Sequence, residues 1–531
     1  SEEEIENSGL IRRRLQQLIC SFLQMPDVDF GGYFARDYKY AAAHSWSLLG
    51  DVETLSRIDA EAVKGSPAYG RVFGREEAVI IGDLQALEQP GAPEQRLIEL
   101  GYRSLLLSPQ HDKHGRTFGM MELASKEPYR FNRQLLKKLE PVISLYAVGT
   151  NRWIQSIDTT INNFIQEQFT YIHPSVLWKF LDVSQKYIFE CAPEDGARPV
   201  LEPIVFKDVY PLYGQADIVG SSQIRNHSIQ ADMLDNLQRV QEVIKAFREH
   251  LSFQLLDIYL ARTEAFSRRL KSDSFVSSDE SQIVELLTQE LHPLLRELGG
   301  QYPQLPGDLL DAYFDYLDPK LKIVYRQRKA YEESVQELND LIAGYIELEV
   351  GKKQEVLPHF FEKYVTDGVG YNIYLGQSLL RSGKFSPYFL RDFRLWQLIV
   401  MCEVTRLVSK HGPGLRVPLS TAQLIFVYNN PLSIRFNMDE KQFDVDGAYN
   451  VRYEILKKRI DKARIKGTNE RLTQSGKIAM VWLQDRDRAE YLEYIGHLRR
   501  QGYLSGEVEE LELERLQGAD GLRALRVTVQ L

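Results

Sequence analysis

The chain has 531 residues, of which 44% are hydrophobic and 26% are charged, so several domains with buried cores are expected rather than a disordered chain. The formal net charge of −9 does not favour a general attraction to nucleic-acid phosphates. The cysteines, Cys20, Cys191 and Cys402, are too widely spaced for a disulfide framework or a zinc ribbon, and no apolar stretch approaches the roughly 20 residues of a membrane-spanning helix. A soluble protein of a reducing, cytoplasmic compartment is therefore expected.

The first part of the chain alternates helices and strands. Residues 8–25 have apolar side chains at helical spacing, and DFGGYFARD and KYAAAHSW then predict two short strands. Ser66 as N-cap and Pro67 begin a short helix in SPAYGRVFGREE. The strand AVIIGDL, the helix PEQRLIELG and the strands YRSLLLSP and TFGMMELAS follow. A last helix is predicted from Asn132 to about Gln155.

This order of elements resembles that of a GAF domain. The residues that carry the resemblance are the strand VIIGDL, the segment from Leu97 to Pro109 and the strand FGMMELAS. It implies an antiparallel sheet with flanking helices over residues 1–155, which senses a small molecule, mediates dimerisation, or does both. Where a GAF domain binds a ligand, the ligand lies between the sheet and the connecting helices. The matching candidates here are Tyr33, Phe34, Trp46, Tyr69, Phe73, Asp83, Arg103 and Glu122.

The same residues also have a purely structural interpretation, in which the aromatic side chains belong to the core and Asp83 caps the turn that follows it. No Cys-His pair for a bilin and no Asn-Lys-Phe-Asp-Glu pattern of cyclic-nucleotide GAF domains occurs, so the identity of any ligand or cofactor stays open. His111, Asp112 and His114 suit a solvated turn beside Gly115 better than a metal site, and no metal is assigned.

The rest of the chain predicts three further regions, giving an α+β multi-domain protein. Residues 156–225 are a mixed connecting segment, residues 226–350 are helical, and residues 351–531 form a C-terminal α/β domain. In the connecting segment, Gly220, Ser221 and Ser222 either direct backbone N–H groups at an anion or cap the next helix, and capping is favoured.

A basic helix is predicted in YEILKKRIDKARI. Residues 452–471 carry eight basic and three acidic side chains, an excess that suits RNA, DNA or an acidic partner, or else a solvated helix face around Ile455 and Ile460. The candidate partner-binding residues are Lys457, Lys458, Arg459, Lys462, Arg464 and Lys466.

Over its whole length the chain is similar to GAF-domain-containing bacterial proteins of the Bacteroidetes type. The similarity lies in IVFKDVYPLYGQADIVGSS, FEKYVTDGVGYNIYLGQSL, PLSIRFNMDEKQFDVDGAYNVRYEILKKRIDKA and KGTNERLTQSGKIA. It implies further residues before Ser1 but no defined output function. The motifs of kinases, P-loop enzymes, zinc proteases and serine hydrolases are missing.

These observations favour a regulatory protein with a sensing or dimerising GAF domain and a non-catalytic, partner-binding C-terminal region. A homodimer or a larger protein complex is expected. The first alternative is a nucleic-acid- or ribosome-associated factor that uses the basic helix. The second is an enzyme with an unrecognised site around residues 210–226 or 366–374.

Overall fold

A computed structural model describes residues 2–34, 47–49, 63, 65–112, 115, 117–169, 172–189, 200–271, 277–305, 307–447, 451–516 and 521–531. The chain divides into two compact units. Unit 1 comprises Ser1–Ile204 and Phe436–Gln442, and unit 2 comprises Val205–Arg435 and Phe443–Leu531. Among the described residues, no helix is both long and apolar enough to cross a membrane.

The described part of unit 1 is built on an antiparallel four-stranded sheet with helices on both faces. Its strands are β1 (Val28–Phe34), β2 (Val79–Ile81), β3 (Ser104–His111) and β4 (Thr117–Ser125), in the order β1-β4-β3-β2. Its helices are α1 (Glu2–Leu23), α2 (Tyr69–Arg75), α3 (Ala92–Glu99), α4 (Arg133–Phe169) and α5 (Leu177–Phe189). The predicted N-terminal fold of antiparallel sheet and flanking helices is confirmed.

Strand β3 shows why this sheet is covered on both faces. Leu105 and Leu107 belong to one apolar cluster with Leu97 of α3, whereas Leu106 belongs to a second cluster with Leu139 of α4. Because successive strand residues point to opposite faces, the continuous run LLL requires an apolar layer on each side.

Helix α4 is longer than predicted, since it continues to Phe169 rather than ending near Gln155. Ile161, Ile165 and Phe169 are buried at intervals of four residues, so one face of the extension is still apolar. The predicted second strand of the N-terminal hairpin, KYAAAHSW, lies outside the described residues.

Among the described residues, unit 2 contains a mixed sheet in the order β6-β7-β5-β8-β11-β13-β12, in which the β8–β11 pair is parallel and the other pairs of this series are antiparallel. The strands are β5 (Val205–Ile218), β6 (Phe360–Thr366), β7 (Gly368–Leu375), β8 (Thr421–Val427), β9 (Leu432–Asn437), β10 (Gln442–Asp446), β11 (Lys477–Trp482), β12 (Leu504–Glu512) and β13 (Arg523–Val529). Strand β9 pairs with the first residues of β5, and β10 pairs with β9.

Residues 205–218 fall in the predicted connecting segment, but in the structure they form β5. This 14-residue strand pairs with β7 on one side and β8 on the other. Its alternating residues Leu212, Ala216 and Ile218 are buried in the main core of unit 2. The apolar and aromatic residues of VFKDVYPLYGQADI therefore reflect a central strand.

The helices of unit 2 confirm a helical region in the middle of the chain. They are α6 (Ser221–His250), α7 (Leu255–Lys271), α8 (Ser277–Glu285), a π-helical turn (Leu286–Leu291), α9 (His292–Gln301), α10 (Gly307–Tyr316), α11 (Gln327–Gln354), α12 (Pro387–His411), α13 (Val451–Lys457) and α14 (Asp485–Arg500). Helices α11 and α12 pack on one face of the sheet, where Ile342 and Phe393 are fully buried.

The predicted basic helix is wrong beyond Lys457, where α13 ends and a 3₁₀ turn at Ile460–Lys462 follows. The chain then reverses at Gly467, which has a φ of 76°, and Leu472 N donates to the carbonyl of Ala463. Glycine favours such a left-handed conformation, so the KGTN sequence suits a reversal of the chain.

Candidate functional site

The candidate ligand pocket of unit 1 centres on the buried carboxylate of Glu122 on β4. The Tyr69 hydroxyl donates to Glu122 Oε1 at 2.9 Å, Ser47 Oγ donates to the same oxygen at 2.9 Å, and the backbone N–H of Leu48 donates to Oε2 at 2.7 Å. Burial and the neighbouring Glu122 raise the pKa of Tyr69 well above its usual value. Tyr69 is fully buried.

The remaining candidates divide into two groups. Tyr33 contacts Tyr69 and Phe73 edge to face, with ring centroids 6.2 and 6.0 Å apart, so these three aromatic residues adjoin Glu122. Phe34 is the last residue of β1, and Trp46 lies outside the described residues.

Asp83 and Arg103 form the second group, an ion pair with an Nη2–Oδ2 distance of 2.5 Å. Arg103 lowers the pKa of Asp83. Asp83 Oδ1 also accepts a hydrogen bond from Gln85 N, so Asp83 caps the short 3₁₀ turn at Leu84–Ala86. No hydrogen bond joins this pair to Glu122 within the described ranges. The cap agrees with the structural interpretation of Asp83.

Replacing Tyr69 by phenylalanine tests the Glu122 network. The variant deletes one of the donors to a buried carboxylate, so we expect a loss of about 1.5–3 kcal/mol in the free energy of unfolding. Tyr33→Phe is the matched control, because in the described part of the chain the Tyr33 hydroxyl makes no hydrogen bond. Urea titration should show little change for the control, and equal losses in both variants would contradict a structural role for the Tyr69–Glu122 bond.

The six basic candidates differ in how far their side chains are exposed to solvent. Lys457 is largely buried, pairs with Glu454 at 2.8 Å, and places its Nζ over the rings of Tyr213, Tyr364 and Tyr453 at 5.9, 5.2 and 5.8 Å. It belongs to the packing of unit 2. The exposed members are Lys458, Arg459, Lys462, Arg464 and Lys466.

Two segments singled out in the sequence meet at one edge of the unit 2 sheet. Strand β5 ends with Asp217 and Ile218, and Asp367 is the turn residue between β6 and β7. Asp217 is paired with Gly368, and the backbone N–H of Ile218 donates to the carbonyl of Asp367 at 3.0 Å. This geometry brings both carboxylates to the same end of β5.

The environment of Asp217 disfavours its charged form. Burial, followed by the charges of Asp461 and Asp367, raises the pKa of Asp217 to about 6. Lys462 and Arg471 act in the opposite direction but do not compensate. Within the described residues, no side chain donates a hydrogen bond to Asp217. The buried Oδ1 of Asp461 is likewise without a hydrogen-bond partner.

The same edge holds the start of α6, a 30-residue helix. Gly220 occupies the cap position with a φ of 70°, and no side chain caps the first turn. The capping role expected for the GSS sequence therefore falls to Gly220 and not to the serine hydroxyls. Arg225, one turn into α6, donates to Asp367 Oδ1 at 2.5 Å. Uncapped N–H groups at a helix start attract anions.

Two carboxylates beside an anion-attracting helix start suit a divalent cation bound together with phosphate oxygens. Mg²⁺ commonly takes only one or two protein carboxylates and completes its shell with water and phosphate. The described residues contain no cluster of three or more His, Cys, Asp or Glu side chains suited to a metal ion. The sequence analysis marked both segments but not Asp217 or Asp367, whose signal was an aspartate followed within three residues by glycine in DIVG and TDGVG.

No family model and no curated protein matches this chain. Among solved structures, the GAF domain region of a putative membrane protein from Geobacter sulfurreducens aligns with 28% of this chain and 98% of its own, at 17% identity and a TM-score of 0.18. The guanylyl cyclase Cya2 aligns with 37% of this chain and 81% of its own, at 14% identity and a TM-score of 0.22. At scores this low, neither likeness assigns a function.

Proposed function

We propose that the chain is a regulatory protein whose unit 2 binds a divalent cation and a phosphorylated ligand at the edge formed by Asp217 and Asp367. The meeting of these two carboxylates at the end of β5, beside the start of α6, is the observation that carries the proposal. Unit 1 supplies the sensing or pairing function expected of a GAF domain. The proposed site lies in the two segments, residues 210–226 and 366–374, that the sequence analysis named for an unrecognised site.

A bound cation would offset the free-energy cost of keeping Asp217 charged. A carboxylate whose pKa is raised by burial and by neighbouring carboxylates gains most from a bound cation, because the cation reverses the sign of the local field. Asp217 and Asp367 supply the protein ligands in this proposal, while Asp461 contributes further negative charge.

In this proposal the phosphate group binds at the start of α6. The uncapped N–H groups that follow Gly220 point toward the helix start, and the helix dipole adds a partial positive charge there. Exposed Lys462 and Arg471 lie close enough to Asp217 to act on its charge, so they also attract an anion to this edge. A cation held between carboxylates and phosphate oxygens would bridge the two groups of negative charge.

A binding measurement tests the site. Isothermal titration with Mn²⁺ and inorganic tripolyphosphate should show cation-dependent binding to the full chain, and Asp367→Asn should lower the affinity at least roughly tenfold. Asp257→Asn is the control, because Asp257 is an exposed partner of Arg248, with a 2.7 Å contact, elsewhere in unit 2. Absence of binding to the wild-type chain, or equal effects in both variants, would remove the proposal.

The sensing part is tested on the same chain. Unit 1 should bind a small molecule that displaces Tyr69 from Glu122, and native mass spectrometry against a metabolite panel would detect it. If no metabolite binds and none copurifies, sensing is excluded and pairing is left as the function of unit 1.

Pairing has its own structural support in unit 1. Leu18 and Phe22 of α1 and Leu145 and Val148 of α4 are exposed, with Leu145 75% accessible, and each pair has helical spacing. A second copy of the chain would cover such apolar positions.

Pairing predicts that the double variant Leu145→Glu, Val148→Glu halves the mass measured by light scattering. Leu348→Glu, at an exposed position of α11, is the matched control and should leave the mass unchanged. A monomeric wild-type chain, or a dimer that survives the double change, would contradict pairing through these helices.

A further inference from the structure

Strand β7 lacks side chains on part of the sheet face that carries Asp217. Gly368 pairs with Asp217, and Gly370 pairs with Gln215 of β5 and Tyr364 of β6. Residues two apart on a strand share a face, so both glycines lie on this face. The backbone of Gly368 beside Asp217, and that of Gly370 between Gln215 and Tyr364, therefore carries no side chain on this face. We call this stretch of β7 the floor.

The structural requirement for glycine differs between positions 368 and 370. Gly368 has a φ of 147°, and a Cβ there would lie 2.4 Å from the carbonyl oxygen of Ala216, so this position requires glycine. A Cβ at Gly370 would have only ordinary contacts, at 3.8 Å from the Tyr213 hydroxyl and 3.9 Å from the Gly214 carbonyl oxygen.

Nothing in the strand itself explains glycine at position 370. Its pairing with both neighbouring strands continues without a bulge. Glycine inside a strand costs stability relative to a residue with a side chain, and its presence commonly marks a place where a ligand approaches the backbone. Gly370 is partly accessible to solvent, so a ligand can reach this place.

The groups around Gly370 define what fits there. Adjacent strands are about 4.8 Å apart, so the flanking residues Gln215 and Tyr364 stand roughly 10 Å from each other, enough for a flat ring between them. Tyr364 is 39% exposed and offers an aromatic wall on which Lys457 already lies, with its Nζ 5.2 Å from the ring centroid, so a ring bound here would contact the Lys457 ammonium as well. The Tyr213 hydroxyl donates to Gln215 Oε1 at 2.9 Å, and the Gln215 amide nitrogen makes no hydrogen bond to any described residue. That amide is available to the polar edge of a ring.

We propose that the floor over Gly370 is a subsite for a flat heteroaromatic ring attached to the phosphate chain held at Asp217 and Asp367. This inference rests on the proposed cation and phosphate site, and it identifies the ligand as a nucleoside polyphosphate or a molecule of the same chemistry. Gly370 determines specificity by leaving room for the ring, and Gln215 recognises its polar edge.

Two probes separate the ring subsite from the phosphate site. Isothermal titration with Mn²⁺ uses inorganic tripolyphosphate, which has no ring, and each of the four common nucleoside triphosphates. The variants are Gly370→Ala, Gly370→Val and the control Gly351→Ala, an exposed glycine of α11 with no atom within 4 Å of its Cβ position. Thermal unfolding of each variant monitors folding.

Wild-type protein should bind at least one nucleoside triphosphate roughly tenfold or more tightly than tripolyphosphate. Gly370→Val should remove that advantage, Gly370→Ala should reduce it, and both should leave the tripolyphosphate affinity and the melting temperature unchanged or higher. Equal affinity of the wild-type chain for both probes, or an undiminished advantage in Gly370→Val, would overturn the ring subsite alone. Binding of neither probe would overturn the phosphate site and the ring subsite together.

Discussion

Replacing Asp217 by asparagine is expected to stabilise the protein at pH 8 while abolishing cation binding. The carboxylate is ionised at this pH although burial and the charges of Asp461 and Asp367 oppose its ionisation. Asparagine has nearly the same shape and no charge, so it removes the electrostatic cost. The expected gain is on the order of 1–2 kcal/mol in the free energy of unfolding, after allowance for solvent screening of a partly exposed group.

The change of this stability effect with pH follows from the raised pKa of Asp217. The pKa of Asp217 is about 6 in the folded chain, above its ordinary value of 3.8. Its destabilising contribution is therefore absent below about pH 4, grows between pH 4 and 6 as the unfolded chain ionises first, and is complete above pH 6. The stabilisation by Asp217→Asn should follow the same course, and cation binding by the wild-type chain should weaken as the pH falls through 6.

Melting temperatures and Mn²⁺ titrations between pH 4 and 8 measure both effects on the same samples. Asp257→Asn, which alters an exposed ion pair with Arg248, should change neither quantity appreciably. A destabilised Asp217→Asn variant at pH 8 would show that Asp217 is a structural residue, and retained Mn²⁺ affinity would show that it is not a cation ligand. Gain of stability with loss of binding is the pattern of a residue retained for function.

Local patterns in unit 1 were sufficient to predict its fold. The run Leu105–Leu107 indicated a strand, which the structure buries on both faces, and the apolar spacing on either side indicated the flanking helices. The end of α4 was missed although Ile161 and Ile165 continue the same spacing, because the polar residues between them weaken the pattern.

The edge at Asp217 could not be predicted from spacing. Asp217 and Asp367 are separated by 150 residues of chain, and only the pairing of β5 with β7 brings them together. Sequence periodicity gives the face of a strand but not its partner. The predicted helix after Lys457 was wrong for a related reason. Ile460 and Ala463 are buried at helical spacing, but their segment turns and is not an α-helix.

A second buried polar group, the guanidinium of Arg394, has side-chain hydrogen-bond partners, which Asp217 lacks among the described residues. Arg394 of α12 is only 3% exposed and contacts Glu490 of α14 at 3.1 Å. It also donates to the side chain of Asn429, which in turn donates to Asp487, a buried carboxylate at the start of α14. Strands β8 and β11 are parallel, and Asn429 and Asp487 follow their carboxyl ends, so Arg394 joins the two connections at that edge.

Arg394→Leu should therefore cost about 3–5 kcal/mol in the free energy of unfolding, because it leaves the carboxylates of Glu490 and Asp487 without their buried cation. Arg391→Leu is a closely matched control. Arg391 joins the same two helices through Glu493 at 3.0 Å, but both side chains are at least half exposed, and such a pair contributes about 0–1 kcal/mol. Urea titration of both variants measures the difference. Equal losses would show that burial of the Arg394 network adds nothing, whereas a much larger loss for Arg394→Leu is expected because solvent cannot replace its charge.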